Sequence, residues 1–193
     1  MQKYKIILAS NSPRRKDLLK ANGFDFEVIV SDYEESNFTL DPILTAKTFA
    51  KEKALDVYNN LENKDNIAVV GADTVVFCDG KILGKPKDRV DAYSMLKNLS
   101  NKTHTVATGF CIKMADKEFV GVDTTLVTFN ELTDEDINAY LDSGLYNGKA
   151  GAYGIQDKEF KLVKEYNGSL NNVIGLPTEK IVPLLRDIIT DGE

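Results

Sequence analysis

The chain has 193 residues, 42% of them hydrophobic, and a formal net charge of −6. That length supports one substantial core or two small lobes. The acidic balance excludes a general nucleic-acid binder, whose affinity rests on an excess of Lys and Arg facing phosphates. Cys78 and Cys111 lie in apolar runs without metal-ligand spacing and read as free thiols in a reducing compartment. No basic flank precedes an early apolar run, and nowhere do roughly 18 apolar residues follow one another. A cytoplasmic protein with no membrane partner is expected.

In chain order, Ile6-Ile7-Leu8-Ala9 reads as a short buried strand, with Ser12 as helix N-cap, Pro13 as first helical residue and Gly23 as the stop. Phe24, Phe26, Val28 and Val30 alternate as a half-buried strand, followed by Asp32, Glu34 and Glu35. Asp41-Pro42 opens a long helix whose inner stripe is Ala46, Phe49, Ala50, Ala54 and Val57, with Lys53 inside it. Ile67–Val70 and Thr74–Cys78 are strand material around Gly71-Ala72-Asp73, and Asp79-Gly80 signals a hairpin into Lys81-Ile82-Leu83. Ala92, Met95, Leu96 and Leu99 form a helix. Thr103–Lys113 and Phe119–Phe129 form an antiparallel pair, and Thr133 caps an acidic helix start. The last helix follows Pro177, with Pro183 bending or delaying it. No linker, repeat or low-complexity tract divides the chain, so residues 1–193 read as a single domain.

Three placements conflict with local rules. Arg14 and Arg15 stand in the first turn of a helix, where the dipole is positive and backbone N–H groups are free, a cost of some tenths of a kcal/mol each. Either they are solvated on an exposed turn, or an anion such as phosphate resolves the conflict by accepting both the N–H groups and the guanidinium forks. Asp73 lies between two apolar runs, where a carboxylate is neutralised, paired, bound to a cation, or satisfied by nearby N–H groups in a turn. Gly71 beside it lets another group approach the backbone closely. Lys53 on an apolar stripe either snorkels to water or has a partner, and Lys85, after Gly84, is a loop charge or a ligand contact. Such cations and carboxylates are what hydrolysis of a nucleoside triphosphate requires: Lys and Arg for phosphate oxygens, carboxylates for a divalent metal and the attacking water.

Several routes are excluded. There is neither a G-x-x-x-x-G-K-[ST] loop nor a G-x-G-x-x-G turn, and the single His104 cannot build an H-E-x-x-H zinc site. His104 also lies in a strand-like run without a nucleophile elbow, so it reads as structural.

Leu8-Ala9-Ser10-Asn11-Ser12-Pro13-Arg14-Arg15 resembles the N-terminal signature of the Maf family, the septum formation inhibitor proteins. The likeness continues through Gly71–Val76, Gly84-Lys85-Pro86 with Asp88, Thr103–Val106 with Thr108-Gly109, Lys149–Gln156, and Gly168-Ser169 through Asn172-Val173 to Gly175-Leu176-Pro177. These segments occur in family order over essentially the whole chain. The resemblance implies an α/β fold with a mixed sheet, flanking helices and two lobes around a nucleotide cleft, similar to inosine triphosphate pyrophosphatases. It also implies hydrolysis between the α and β phosphates to a nucleoside monophosphate and pyrophosphate, dependent on a divalent metal, Mg or Mn. Asp73 is then the proton acceptor for water, with Glu35 and Asp73 as metal ligands. Ser12, Arg14, Arg15, Lys53, Lys85 and Lys149 become substrate contacts, and Arg14, Thr74 and Gln156 the specificity positions of the branch acting on dTTP and UTP. The amide of Gln156 suits a pyrimidine edge. The resemblance is compatible with a homodimer. Competing expectations are a nucleotide-binding regulator of cell division with little turnover, and the same reaction on 7-methyl-GTP. Two positions depart from the family pattern: Gly148 stands where Asp is common and Asp157 where Gly is common. The first removes a carboxylate beside Lys149, and the second bears on how the base-binding loop closes.

Overall fold

The computed structural model describes residues 4–36 and 39–190. Seven strands, β1 (Lys5–Leu8), β2 (Phe26–Val28), β3 (Ile67–Cys78), β4 (Lys81–Leu83), β5 (Thr103–Lys113), β6 (Glu118–Phe129) and β7 (Val163–Asn167), form one mixed sheet. The helices are α1 (Pro13–Ala21), α2 (Pro42–Asn59), α3 (Arg89–Leu99), α4 (Asp134–Asp142), α5 (Leu170–Ile174) and α6 (Thr178–Thr190). The main path runs β2-β1-β3-β5-β6-β7. β1 is parallel to both its neighbours and every other pairing is antiparallel.

The pairing register creates the site. One edge of β3 is taken by β5 from Val69 to Phe77, so β1 and β4 share the other edge. β1 covers it at Ile67–Val70 and β4 at Val76–Cys78. Between them, residues 71–75 face a gap in the sheet, at the carboxyl end of the parallel strand β1. Open sheets characteristically bind ligands in such a crevice.

The sequence suggested an interruption at Gly71-Ala72-Asp73, yet β3 is continuous for 12 residues. Gly71 serves the expected close approach. A Cβ there would overlap the Ala50 carbonyl oxygen and Ala54, and one at Gly109 on β5 would overlap the Ala46 carbonyl. Two missing side chains thus let the backbone of α2 rest on β3 and β5, which carries Lys53 to Asp73. The strict type I′ hairpin does occur: Asp79 and Gly80 have φ of 49° and 76°.

Strand alternation divides the core by face. Toward α2 lie Ile7, Val69 and Cys111 with Ala54 and Val57, then Val75 and Ala107 with Ala46. Two groups of helices share the opposite face. α1 and α6 bury Leu19, Ile181 and Leu185 over Leu8, Val70 and Ile112, and α3 and α4 bury Leu96, Leu99, Ile137 and Tyr140 over Val76, Val106 and Val127. The two helical groups on that face are the expected lobes, seated on one mixed sheet. α6 begins at Thr178 and continues through Pro183, so the proline does not delay it. No described helix is long and apolar enough to cross a membrane.

His104 is structural as expected. Its Nε2 lies 2.8 Å from the Tyr153 hydroxyl and its ring is edge-on to Phe129 and Tyr153. Burial lowers its pKa to about 4. The unfolded chain protonates this residue near 6.5 while the fold keeps it neutral, so its contribution is intact above pH 6.5 and is lost as pH falls toward 4. At about 1.4 kcal/mol per pKa unit, roughly 3 kcal/mol is at stake. Urea unfolding between pH 7 and pH 4 should show wild type losing more stability than His104→Phe by about that amount; equal losses would contradict the assignment.

Candidate active site

A cavity of about 560 Å³ opens at the gap beside β3, within the range of small-molecule sites. Its walls come from the β1–α1 loop and first turn of α1, the middle of β3, the segment after Val30, Lys53, Lys85, the Asn147–Gln156 loop and the end of α5. The structure brings Ser12, Arg14, Arg15, Glu35, Lys53, Asp73, Thr74, Lys85, Lys149 and Gln156 to that one cavity.

Ser12 holds the N-cap position and Pro13 the first turn, but the Ser12 side chain makes no capping bond. The expected cap is thus absent as a hydrogen bond, which leaves first-turn N–H groups for another acceptor. The conflict over Arg14 and Arg15 is resolved partly within the protein. Arg14 Nε donates to the Ile174 carbonyl (3.3 Å) and Arg15 Nε to the Gly175 carbonyl (2.7 Å), which lie at the C-terminal end of α5. Carbonyls at a helix end lack intrahelical partners and favour cations. Arg15 also donates to Ser10 Oγ (3.1 Å) and Thr74 Oγ1 (3.2 Å).

α5 is pinned in turn by Asn172, which has no solvent exposure. Its Oδ1 accepts from the Thr108 N–H, and its Nδ2 donates to the Val106 carbonyl (3.0 Å) and Thr125 Oγ1 (2.9 Å). Thr108 Oγ1 donates to the Asn172 carbonyl at 2.7 Å and meets Thr74 Oγ1 at 2.9 Å. A continuous network therefore connects the sheet, α5 and both guanidinium groups.

Lys53 is not a snorkelling residue. Its ammonium lies 2.5 Å from Asp73 Oδ1 and 2.7 Å from Glu35 Oε1, and Lys85 Nζ adds a 3.0 Å contact to the same Glu35 oxygen. Burial raises the Glu35 carboxyl, but Lys53 and Lys85 together outweigh it and bring the pKa down to about 2. Asp73 is shifted the other way. Its burial pushes the pKa above the ordinary aspartate value and the Glu35 charge adds to that, against the opposing pull of Lys53 and Arg15. One carboxylate is held firmly ionised while its neighbour is made a stronger base, the kind of divergence that separates roles in active sites.

Asp73 Oδ2 is buried and has no hydrogen-bond partner among the described residues. No cluster of three or more His, Cys, Asp and Glu exists among them. Two carboxylates with one unsatisfied oxygen fit a hard cation that takes its remaining ligands from water and phosphate, as Mg²⁺ commonly does. Of the acidic trio, only Glu35 reaches the cavity; Asp32 instead uses its backbone N–H on Asp56.

A further wall is the Lys149–Gln156 segment. Lys149 is buried against Asp157, 2.5 Å away, and Tyr140 donates to the same Asp157 oxygen at 2.7 Å. Sequence reasoning did not assign Ser10, Thr108, Asn172 or Tyr140 to the site, and it marked Asp157 only as a departure from the family pattern bearing on closure of the base-binding loop. Thr108 and Asn172 fall in segments that carried the family resemblance, the one available signal for them.

The family match spans residues 5–188 and is to Maf-like protein. The chain belongs to the Maf family. It is 45% identical over 184 residues to the dTTP/UTP pyrophosphatase of Aquifex aeolicus, covering 95% of each chain. Against the dTTP/UTP pyrophosphatase of Acetivibrio thermocellus it is 47% identical over 191 residues, covering 95% of this chain and 94% of that one. Among solved structures, a HAM1 protein from Coxiella burnetii matches 95% of this chain and 99% of its own at 13% identity and a TM-score of 0.49, too distant to bear on activity.

Proposed function

We propose that this Maf-family chain hydrolyses dTTP and UTP at the α–β anhydride, giving the nucleoside monophosphate and pyrophosphate with a divalent cation, Mg²⁺ or Mn²⁺. The observation that carries the reading is charge. Five cationic side chains (Arg14, Arg15, Lys53, Lys85 and Lys149) and two carboxylates (Glu35 and Asp73) line one cavity of a chain whose net charge is −6. A concentrated positive field on an acidic protein suits a compact polyanion, and a triphosphate supplies it.

Arg14, Arg15 and Lys85 bind and orient the phosphate chain and neutralise the pyrophosphate as the anhydride bond breaks. Asp73, shifted toward greater basicity, takes a proton from the attacking water. Lys53 holds Asp73 and Glu35 in register while leaving Asp73 Oδ2 unengaged. Glu35 and Asp73 would hold the cation, which when bound polarises phosphate oxygens. Gln156, exposed at the cavity, offers the base a donor and an acceptor on one amide, the complement of a pyrimidine carbonyl–imide edge. The setting proposed is cytoplasmic, with no nucleic acid or membrane partner. Its free, buried Cys78 and Cys111 suit a reducing compartment, and the family resemblance is compatible with a homodimer.

The test is pyrophosphate release from a panel of nucleoside triphosphates with Mg²⁺, Mn²⁺ or a chelator. dTTP and UTP should lead, and chelation should remove turnover. Gln156→Glu should reduce discrimination among bases by about tenfold, the scale of one altered hydrogen bond, with metal dependence retained. Unchanged base preference would remove the role of Gln156, and no pyrophosphate from any triphosphate would overturn the activity.

A further inference from the structure

The Gly154–Asp157 turn holds the side chain that the proposed function assigns to the base. Its Asp157 N–H donates to the Gly154 carbonyl at 3.1 Å, setting Ile155 and Gln156 in the middle of the turn. Ile155 is buried beneath it and Gln156 is exposed. From below, the turn is held through the Asp157 side chain. Its Oδ2 meets Lys149 Nζ at 2.5 Å and the Tyr140 hydroxyl at 2.7 Å. The Tyr140 oxygen in turn accepts the Gly154 N–H at 3.2 Å.

One carboxylate oxygen therefore joins the entrance of the loop, its exit and the core tyrosine of α4. The knot packs directly under the turn: a Cβ on Gly154 would stand 2.6 Å from Lys149 Nζ and 2.7 Å from Asp157 Oδ2. The Lys149 and Asp157 side chains are 11% and 12% exposed. A pair so buried returns little net stability but is costly to break on one side, and its best-attested use is fixing a geometry. It also commits the charge of Lys149 to Asp157, so this lysine acts on the cavity from a fixed position.

We infer that Asp157 is a positioning residue: without touching substrate, it clasps the Gly154–Gln156 turn through Lys149 and Tyr140 and so sets base discrimination. The inference rests on the pyrimidine nucleotide reading of the site. A carboxylate at 157 thus does for Lys149 what the glycine at 148 cannot.

The test compares wild type, Asp157→Asn and Tyr140→Phe in kcat and KM for dTTP, UTP, CTP and GTP, with hydrogen exchange of peptides covering 150–160. Asp157→Asn keeps the shape and removes the charge, and Tyr140→Phe keeps the ion pair and removes the hydroxyl. In Asp157→Asn, KM for dTTP and UTP should rise about tenfold with kcat within about threefold, the signature of lost binding and not of lost chemistry. Preference over CTP and GTP should shrink in parallel, and exchange at Gly154 should quicken in both variants. Unchanged exchange would show that there is no clasp, and quickened exchange with unchanged KM and discrimination would show that the clasp does not serve recognition. Either result overturns the inference and leaves the activity standing. A wild type that releases no pyrophosphate from any triphosphate overturns the activity itself, and the discrimination role with it.

Discussion

Asp73→Asn is expected to lower kcat for pyrophosphate release from dTTP by about a hundred- to ten-thousand-fold, the range typical of a removed general base. At saturating Mg²⁺ KM should change little, because the asparagine oxygen still accepts from Lys53, Glu35 remains to hold the cation, and the cationic side chains on the phosphate chain are untouched. The fold should survive. Asp73 is 4% exposed and burial disfavours its charge, so neutralising it removes a desolvation cost while Lys53 keeps Glu35 as partner. The pH dependence of wild type supplies a second reading of the same group. A base must be deprotonated to act, so the acid limb of kcat/KM set by Asp73 should vanish in the variant. Steady-state kinetics from pH 4 to pH 8, with thermal unfolding of both proteins, checks each part. Near-wild-type turnover by Asp73→Asn would eliminate the proposed base.

Lys53→Met should be the most destructive single substitution. It removes the cation that lies between two carboxylates, 2.5 Å from one and 2.7 Å from the other, in a place where the Asp73 side chain is 5% exposed. Removing one partner of a buried ion pair costs about 3–5 kcal/mol, since the remaining charge is left in a poor solvent. Activity should fall with it, as Asp73 loses its orientation. The deficit should depend on pH in a defined direction. Asp73 in the fold binds a proton more readily than in the unfolded chain, and loss of Lys53 widens that difference. The deficit is then full above the folded-state pKa of Asp73 and shrinks as pH falls through it. Urea unfolding at pH 7 and pH 5 should show the larger deficit at pH 7, and adding Asp73→Asn to Lys53→Met should restore part of the stability. A variant as stable as wild type at pH 7 would mean that the lysine is not holding the two carboxylates.

What the sequence made legible were misfits. Arg14 and Arg15 at a helix start, Lys53 on an apolar stripe and Asp73 within a strand each violate a local rule, and a violated rule marks its position without knowledge of the fold. Their convergence was not legible in this way, because it depends on register: β1 and β4 divide one edge of β3 and leave residues 71–75 open between them. Which group approaches Gly71 was hidden for a related reason. Whether a strand glycine marks a break or admits a neighbouring backbone is decided by the helix above it, here α2 at Ala50 and Ala54. Asn172 and Asp157 break no local physical rule, and only the departure from the family pattern marked Asp157. An Asn in a short polar helix and an Asp in a loop are ordinary, and each gains significance from partners far along the chain, Thr108 and Val106 for one and Tyr140 for the other. The arginines show both levels together. The phosphate explanation of their cost was available from local physics, while the carbonyls of Ile174 and Gly175, which bear part of it, lie 160 residues away.

The measurement that bears most directly on this account is a crystal structure of the wild-type protein with α,β-imido dTTP and Mg²⁺, a pairing that hydrolysis does not consume. The expected complex has the triphosphate against Arg14, Arg15 and Lys85, the cation on Glu35 and Asp73, and the thymine beside Gln156. A nucleotide bound elsewhere, or in this cavity with its phosphates at Gln156 and its base among the arginines, would contradict it.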